Sequence, residues 1–157
     1  MSKKIEIYTD GSSLGNPGKG GWGVVIIENK KITKELGGHE KMTTNNRMEL
    51  QAVIEALKYL PTRQDLVGME VEIHADSAYV LGGVTTWIHN WEKNNWRTTD
   101  KKPVLNQDLW QKLIALVRSS KNKIIWQKVK GHSGHIWNDK ADEIATTCAE
   151  KQKPHKK

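Results

Sequence analysis

Two alternating runs separated by one strongly periodic helix limit the topologies open to this chain. Lys4 to Thr9 alternates with β-branched residues and reads as a strand. Met69 to Ala75 sets Met69, Val71, Ile73 and Ala75 against Glu70, Glu72 and His74, and reads as another. Between them Leu50, Val53, Ile54 and Leu57 fall at i, i+3, i+4 and i+7, the buried stripe of a helix. Strand, helix, strand in that order predicts a parallel crossover that lays the later strand beside the first.

The remaining segments fill in around that unit. Gly11 to Gly21 is rich in Gly, Ser, Asn and Pro and reads as a turn region. Trp22 to Glu28 is a second strand, with Val24-Val25-Ile26-Ile27 apolar on both faces, and Lys31 to Gly37 a third, after the polar break Asn29-Lys30. These three strands are expected to form an antiparallel meander. Thr43 or Thr44 is the expected N-cap of the first helix, and Pro61 ends it. Ser77 to Trp91 is helical in pattern, with a break expected near Gly82-Gly83. Glu92 to Leu105 lacks a period and reads as a protruding loop ended by Pro103. Asn106 is placed to cap a helix to Ser119 with Leu109, Leu113, Leu116 and Val117 as its stripe. Ile124 to Val129 is a fifth strand, Lys130 to Trp137 a Gly/His loop, and Asn138 or Asp139 opens a last helix to about Lys151. One domain over residues 1–151 is expected, with its protrusion at about 92–105 and a basic, disordered tail at 152–157.

Charge and composition narrow the chemistry. Lys plus Arg is 25 against 18 Asp plus Glu, a formal net charge of +7. Such an excess favours a polyanionic partner, because cations that neutralise phosphates release counterions. A single cysteine, Cys148, excludes an intrachain disulfide and reads as a small buried hydrophobe. No apolar window reaches the length of a membrane span, and Met1-Ser2-Lys3-Lys4 runs straight into a strand pattern without a signal region. A cytoplasmic setting is the resulting expectation.

Four acidic residues stand out against the basic background. Asp10 and Asp76 each follow an alternating strand, where ligands of open α/β sheets gather. Glu49 stands one residue before the apolar helical stripe, and Asp142 lies on a small-residue face beside Ala141 and Ala145. Taken singly, each Asp reads better as a helix or turn cap and Glu49 as part of a solvated face. Together they read as an oxygen cage for a hard divalent cation, since two carboxylates about 4 Å apart repel by roughly 4 kcal/mol at an effective dielectric of about 20.

These residues sit in segments that resemble those of bacterial-type, single-domain type 1 ribonucleases H, from Ile5 to about Ala149. The segments are Tyr8-Thr9-Asp10-Gly11-Ser12, Gly15-Asn16-Pro17-Gly18, Thr43-Thr44-Asn45-Asn46-Arg47-Met48-Glu49-Leu50, Asp76-Ser77, Trp87-Ile88-His89-Asn90-Trp91, Asp100-Lys101-Lys102-Pro103-Val104, Val129-Lys130-Gly131-His132-Ser133-Gly134-His135 and Ala141-Asp142-Glu143-Ile144-Ala145. The resemblance implies an α/β, ribonuclease H-like fold. Its five-stranded mixed sheet has three antiparallel strands, then two parallel additions, with helices on both faces. It implies a monomeric endonuclease that hydrolyses the RNA strand of RNA–DNA hybrids and leaves 5′-phosphate and 3′-hydroxyl ends. Two ions would serve it with substrate bound, Mg2+ or Mn2+ in its place.

Site residues carry over position by position. Asp10, Glu49, Asp76 and Asp142 match the metal-binding carboxylates, and His132 the mobile catalytic histidine, for proton handling or product departure. The alternative for Gly131–His135 is an ordinary turn, and His135 reads as loop support. Asn16, Asn45 and Asn46 match minor-groove contacts. Thr44 and Asn106 match a DNA-phosphate pocket and also read as helix caps. Trp87 offers a flat face to sugars, whereas Trp91 and Trp110 read as core. Lys101 and Lys102 belong to the protrusion that grips the duplex. Ala78, Met42 and Ser13 depart from residues common in relatives, and Glu92 and Asp100 dilute the protrusion's charge. None of these touches the four carboxylates. Two other readings stay open on sequence: a catalytically silent binding module, and a relative of the same fold acting on DNA.

Overall fold

Val24, Val25, Ile26 and Ile27 are all fully buried, and they alternate between two different cores. That requires a sheet covered on both sides. The structure, a computed structural model, describes residues 4–129 and 136–156. Strand β1 (Ile5–Ser13) pairs antiparallel with β2 (Gly18–Glu28), which pairs antiparallel with β3 (Lys31–Thr43). Helix α1 (Asn45–Tyr59) then crosses over to β4 (Glu70–Ala75), parallel to β1, and β5 (Lys123–Lys128) adds parallel to β4. The expected crossover and five-stranded mixed sheet are both present, with strand order β5-β4-β1-β2-β3.

On one face α1 buries Leu50, Val53, Ile54 and Leu57 against Ile5, Ile7, Val24 and Ile26. Helix α4 (Gln107–Ser119) adds Leu109, Trp110 and Leu113 to that core. On the other face α5 (Ile136–Lys151) packs Ala141, Ile144 and Cys148 against Tyr8, Val25 and Ile27. Each large aliphatic side chain so buried contributes about 1.5–3 kcal/mol. Cys148 is buried, as its apolar setting predicted.

Several boundaries differ from the sequence reading. The segment read as a turn at Gly11 to Gly21 is mostly strand: β1 runs on to Ser13 and β2 begins at Gly18. Likewise β3 continues past Gly37 to Thr43. Glycine in these strands serves close packing rather than turning. A Cβ on Gly21 would overlap the Ala145 carbonyl oxygen, and one on Gly23 that of Ala141, so α5 rests directly on the backbone of β2.

The helical stretch after Ser77 does not break at Gly82-Gly83. Helix α2 (Ala78–Gly82) passes through a π-helical turn, Gly83–Trp87, into α3 (Ile88–Lys93). Gly83 has no Cβ to meet the Trp110 ring lying against it, so the coil widens there instead of ending. The segment expected as a disordered tail is also ordered in part: β6 (His155–Lys156) pairs with β3 at Leu36 and Gly37. His155 Nε2 lies 2.7 Å from the buried Glu35 carboxylate, and the Gln152 amide donates to the Gly20 carbonyl at 3.1 Å. A sixth, two-residue strand therefore caps the sheet edge.

Candidate active site

The register of β1 and β4 places the first two carboxylates. Thr9 and Ala75 are Cα partners in the parallel ladder, and Asp10 and Asp76 are the next residues on each chain. Both stand where the parallel pairing ends, Asp76 just past β4 and Asp10 within β1, with Asp76 exposed and Asp10 partly buried.

Glu49 reaches the site from the first turns of α1. Thr44 caps that helix, its hydroxyl accepting from the Arg47 N–H at 3.2 Å, while Thr43 is the buried last residue of β3. A Cβ on Gly11 would overlap the Met48–Glu49 peptide, so only glycine lets α1 settle this close to β1. The Gly11 N–H then donates to the Glu49 carboxylate. Asp142 stands on the solvent side of α5, next to Ala141, whose carbonyl rests over Gly23. Gly23 is the Cα partner of Asp10 across β1 and β2.

The four carboxyl groups converge. Asp10 hydrogen-bonds with both Glu49 and Asp142. Burial first, then the charge of Glu49 and the bond to Asp142, hold the Asp10 carboxyl well above the usual carboxylate range. Glu49 is raised as well, chiefly by burial, with the charges of Asp76 and Asp142 adding to it. Accepting from Asp10 and from the Gly11 N–H opposes that rise. Burial and mutual repulsion thus favour a proton held on the Asp10–Glu49 pair when no cation is present. Among the described residues no Lys or Arg pairs with any of the four. A set of hard oxygen donors, crowded enough to retain a proton and lacking a basic partner, fits a divalent cation. His132 and His135 lie outside the described residues.

Around the carboxylates the other predicted residues take separate stations. Asn16 Oδ1 accepts from the Asn45 N–H at 3.1 Å, and Asn45 Oδ1 accepts from the Ser13 N–H at 2.7 Å. This ties the turn between β1 and β2 to the start of α1, where Asn46 is exposed. Asn106 occupies the N-cap position of α4 but does not cap it: its φ is 61° and its side chain is engaged elsewhere. Its Oδ1 accepts from Arg47 at 3.2 Å, and its amide donates to the Tyr79 hydroxyl at 3.1 Å. Arg47 also forms a forked pair with Asp108 at 3.0 and 2.8 Å. Arg47 and Tyr79 thus fix Asn106 against α1 and α2, a role the sequence reading missed because both partners are distant in the chain.

Trp87 is 39% exposed, while Trp110 is fully buried and Trp91 partly so, as their core assignment predicted. Trp87, Trp91 and Trp96 form a chain of ring contacts at 6.1 and 6.0 Å that anchors the protrusion. Lys101 and Lys102 are exposed at its tip, Lys101 with φ 63°. Glu92, expected to dilute the protrusion's charge, is instead neutralised by a forked pair with Arg118 at 2.5 and 2.6 Å.

Sheet order, crossover and acidic cluster together define a ribonuclease H-like α/β protein. The family model for RNase H matches residues 2–150, and the chain belongs to the ribonuclease H family. A ribonuclease H from Mesorhizobium japonicum is 52% identical over 145 residues, covering 92% of this chain and 77% of that protein. The crystal structure of LC9-RNase H1, a type 1 enzyme with the type 2 active-site motif, superposes with a TM-score of 0.84 at 31% identity. It covers 98% of this chain and 75% of that one. LC11-RNase H1, solved in complex with an RNA/DNA hybrid, gives a TM-score of 0.74 at 29% identity, covering 95% and 99%. The family is metal-dependent, in keeping with the donor set described above. No helix among the described residues is long and apolar enough to cross a membrane.

Proposed function

We propose that this protein is a monomeric, cytoplasmic endonuclease that hydrolyses the RNA strand of RNA–DNA hybrids, leaving 5′-phosphate and 3′-hydroxyl ends. The observation that carries this reading is the meeting of Asp10, Glu49, Asp76 and Asp142 where the parallel pairing of β1 and β4 ends. Two divalent cations held by these residues, Mg2+ with Mn2+ able to replace it, would supply an activated water and charge stabilisation at the leaving oxygen. Asp10 is central because it touches two of the other carboxyl groups, and Glu49 is oriented by the Gly11 N–H. His132 is assigned to proton handling or product departure.

Hybrid recognition follows from which polar atoms the fold leaves available. The side-chain carbonyls of Asn16 and Asn45 are used internally and both residues are exposed, which leaves their amide N–H groups to donate to 2′-hydroxyls and base edges. Asn46 adds a third amide on the same edge. Thr44 and Asn106, both bonded to Arg47, stand at the start of α1, where a DNA phosphate would bind. Trp87 supports a deoxyribose face, and Lys101 and Lys102 grip the backbone beyond it. The test compares hybrid, duplex DNA and duplex RNA, with Mg2+ or with chelator. Cleavage confined to the RNA strand of the hybrid and lost with chelator is expected. Cleavage of DNA, or none of any substrate by folded protein, overturns the reading.

A further inference from the structure

A second donor cluster lies on the α5 side of the sheet, on the strands that carry Asp10 and end before Asp76. Glu6 and Glu72 are Cα partners across β1 and β4, as are Tyr8 and His74. One donor atom each from Glu6, Glu72 and His74 lies within 4.8 Å of the others. His74 Nε2 is 3.1 Å from Glu72 Oε1 and 3.5 Å from Glu6 Oε2. Tetrahedral Zn2+ with N and O ligands at about 2.0–2.2 Å has ligand–ligand edges of about 3.3–3.6 Å, close to both separations. The imidazole is held in place by stacking on Tyr8, with ring centres 4.4 Å apart and planes 12° from parallel.

A plain ion pair accounts poorly for Glu6. Its side chain is only 10% exposed, yet its contacts among the described residues are long: the Tyr8 hydroxyl at 3.4 Å, His74 at 3.5 Å and the Lys4 ammonium at 4.0 Å. A carboxylate so buried ordinarily draws charge-assisted bonds of about 2.7–2.9 Å. The comparison is internal to this protein, because His155 closes on the equally buried Glu35 to 2.7 Å. Glu6 therefore stands back from its partners by about the room an ion needs. A cavity of about 450 Å³, lined by Lys4, Glu6, Tyr8, Asn29, Lys30 and Trp137, opens beside Glu6.

We propose that Glu6, Glu72 and His74 form a Zn2+-binding site that clamps β1 to β4. One imidazole and two carboxylates suit this borderline ion, in contrast to the all-carboxylate quartet above. The site stands apart from the hydrolytic reading and does not depend on it.

Co2+, a coloured stand-in for Zn2+, tests this in the full chain with Asp10→Asn and Glu49→Gln in place, which weakens the quartet as a competing site. The expected result is one equivalent of bound Co2+ with a tetrahedral visible band, displaced by Zn2+ and lost when His74→Gln is added. Zn2+ at a hundredfold excess over its Kd should raise Tm by about 5 °C or more, because it binds only the folded chain. Adding Glu72→Gln to that double variant should abolish this Zn2+ shift, and Glu72→Gln alone should keep Mg2+-dependent hybrid cleavage. A band that survives His74→Gln, or folded protein that shows neither band nor Tm shift, overturns the site. Should His74→Gln fail to fold, the His74 ring resonances of the Asp10→Asn, Glu49→Gln chain decide: they shift on one equivalent of Zn2+, or the proposal fails.

Discussion

Replacing Asp10 with Asn should separate the electrostatic load of the carboxylate cluster from its chemistry. Asp10 is partly buried, touches Glu49 and Asp142, and keeps its proton to a pH well above the ordinary range. An unfolded aspartate loses that proton near pH 3.9. A carboxyl raised on folding stabilises the native state at pH values below its unfolded value. That contribution is lost as pH rises toward the folded value. The loss can reach about 1.4 kcal/mol per pH unit for an isolated group. Glu49 is coupled to it and the two titrate as a pair, so the loss by about pH 7.5 is on the order of a few kcal/mol. An asparagine does not titrate, and its amide can donate to Glu49 and Asp142 in place of the carboxyl hydroxyl. In chelator, Asp10→Asn should therefore match the parent near pH 4 and exceed it in stability by that amount near pH 7.5. Saturating Mg2+ should narrow the gap, because the parent keeps the better ligand set. Urea unfolding at the two pH values, with chelator and with Mg2+, measures this. A difference independent of pH, or a variant less stable at pH 7.5 in chelator, refutes the reasoning. The same variant should lose Mg2+-dependent cleavage.

Three further outcomes follow. Replacing Lys101 and Lys102 with Ala should raise KM for a hybrid and flatten its salt dependence by about one unit of slope for each phosphate these side chains no longer neutralise, read from KM at several salt concentrations. Gly21→Ala should cost about 2–4 kcal/mol in urea unfolding and lower kcat, since the new methyl lifts α5 and with it Asp142. Arg47→Ala should free Asn106 and Asp108 and raise KM severalfold with kcat little changed, as expected for a residue that positions a binding group, measured by steady-state cleavage.

The parts of this fold that were legible in the sequence are those that local pattern controls. The α1 stripe, the alternation of Met69 to Ala75 and the doubly apolar Val24 to Ile27 each have one reading that buries their side chains. The glycines were misread because a glycine that turns the chain and one that admits a helix look alike in one dimension. Only Ala145 and Ala141, over 100 residues away, explain Gly21 and Gly23. Asn106 was misread as a side-chain cap for a similar reason, its amide and carbonyl being taken by Tyr79 and Arg47. The tail was misjudged because Lys and Pro mask a histidine whose partner, Glu35, lies on a distant strand. The carboxylates were legible through their places after alternating runs and near α1's start, whereas the coupling of Asp10 to Glu49 and Asp142 was not, since it depends on separations no spacing encodes.

The contact of α5 with the bare backbone of β2 reaches beyond packing. Where two elements meet through large side chains, their spacing drifts as those side chains are exchanged. Here peptide meets peptide, so the distance is pinned by atoms that mutation cannot trim. The acid carried by that helix inherits this fixed datum, and substitutions across its outer surface leave the aim of Asp142 where it was.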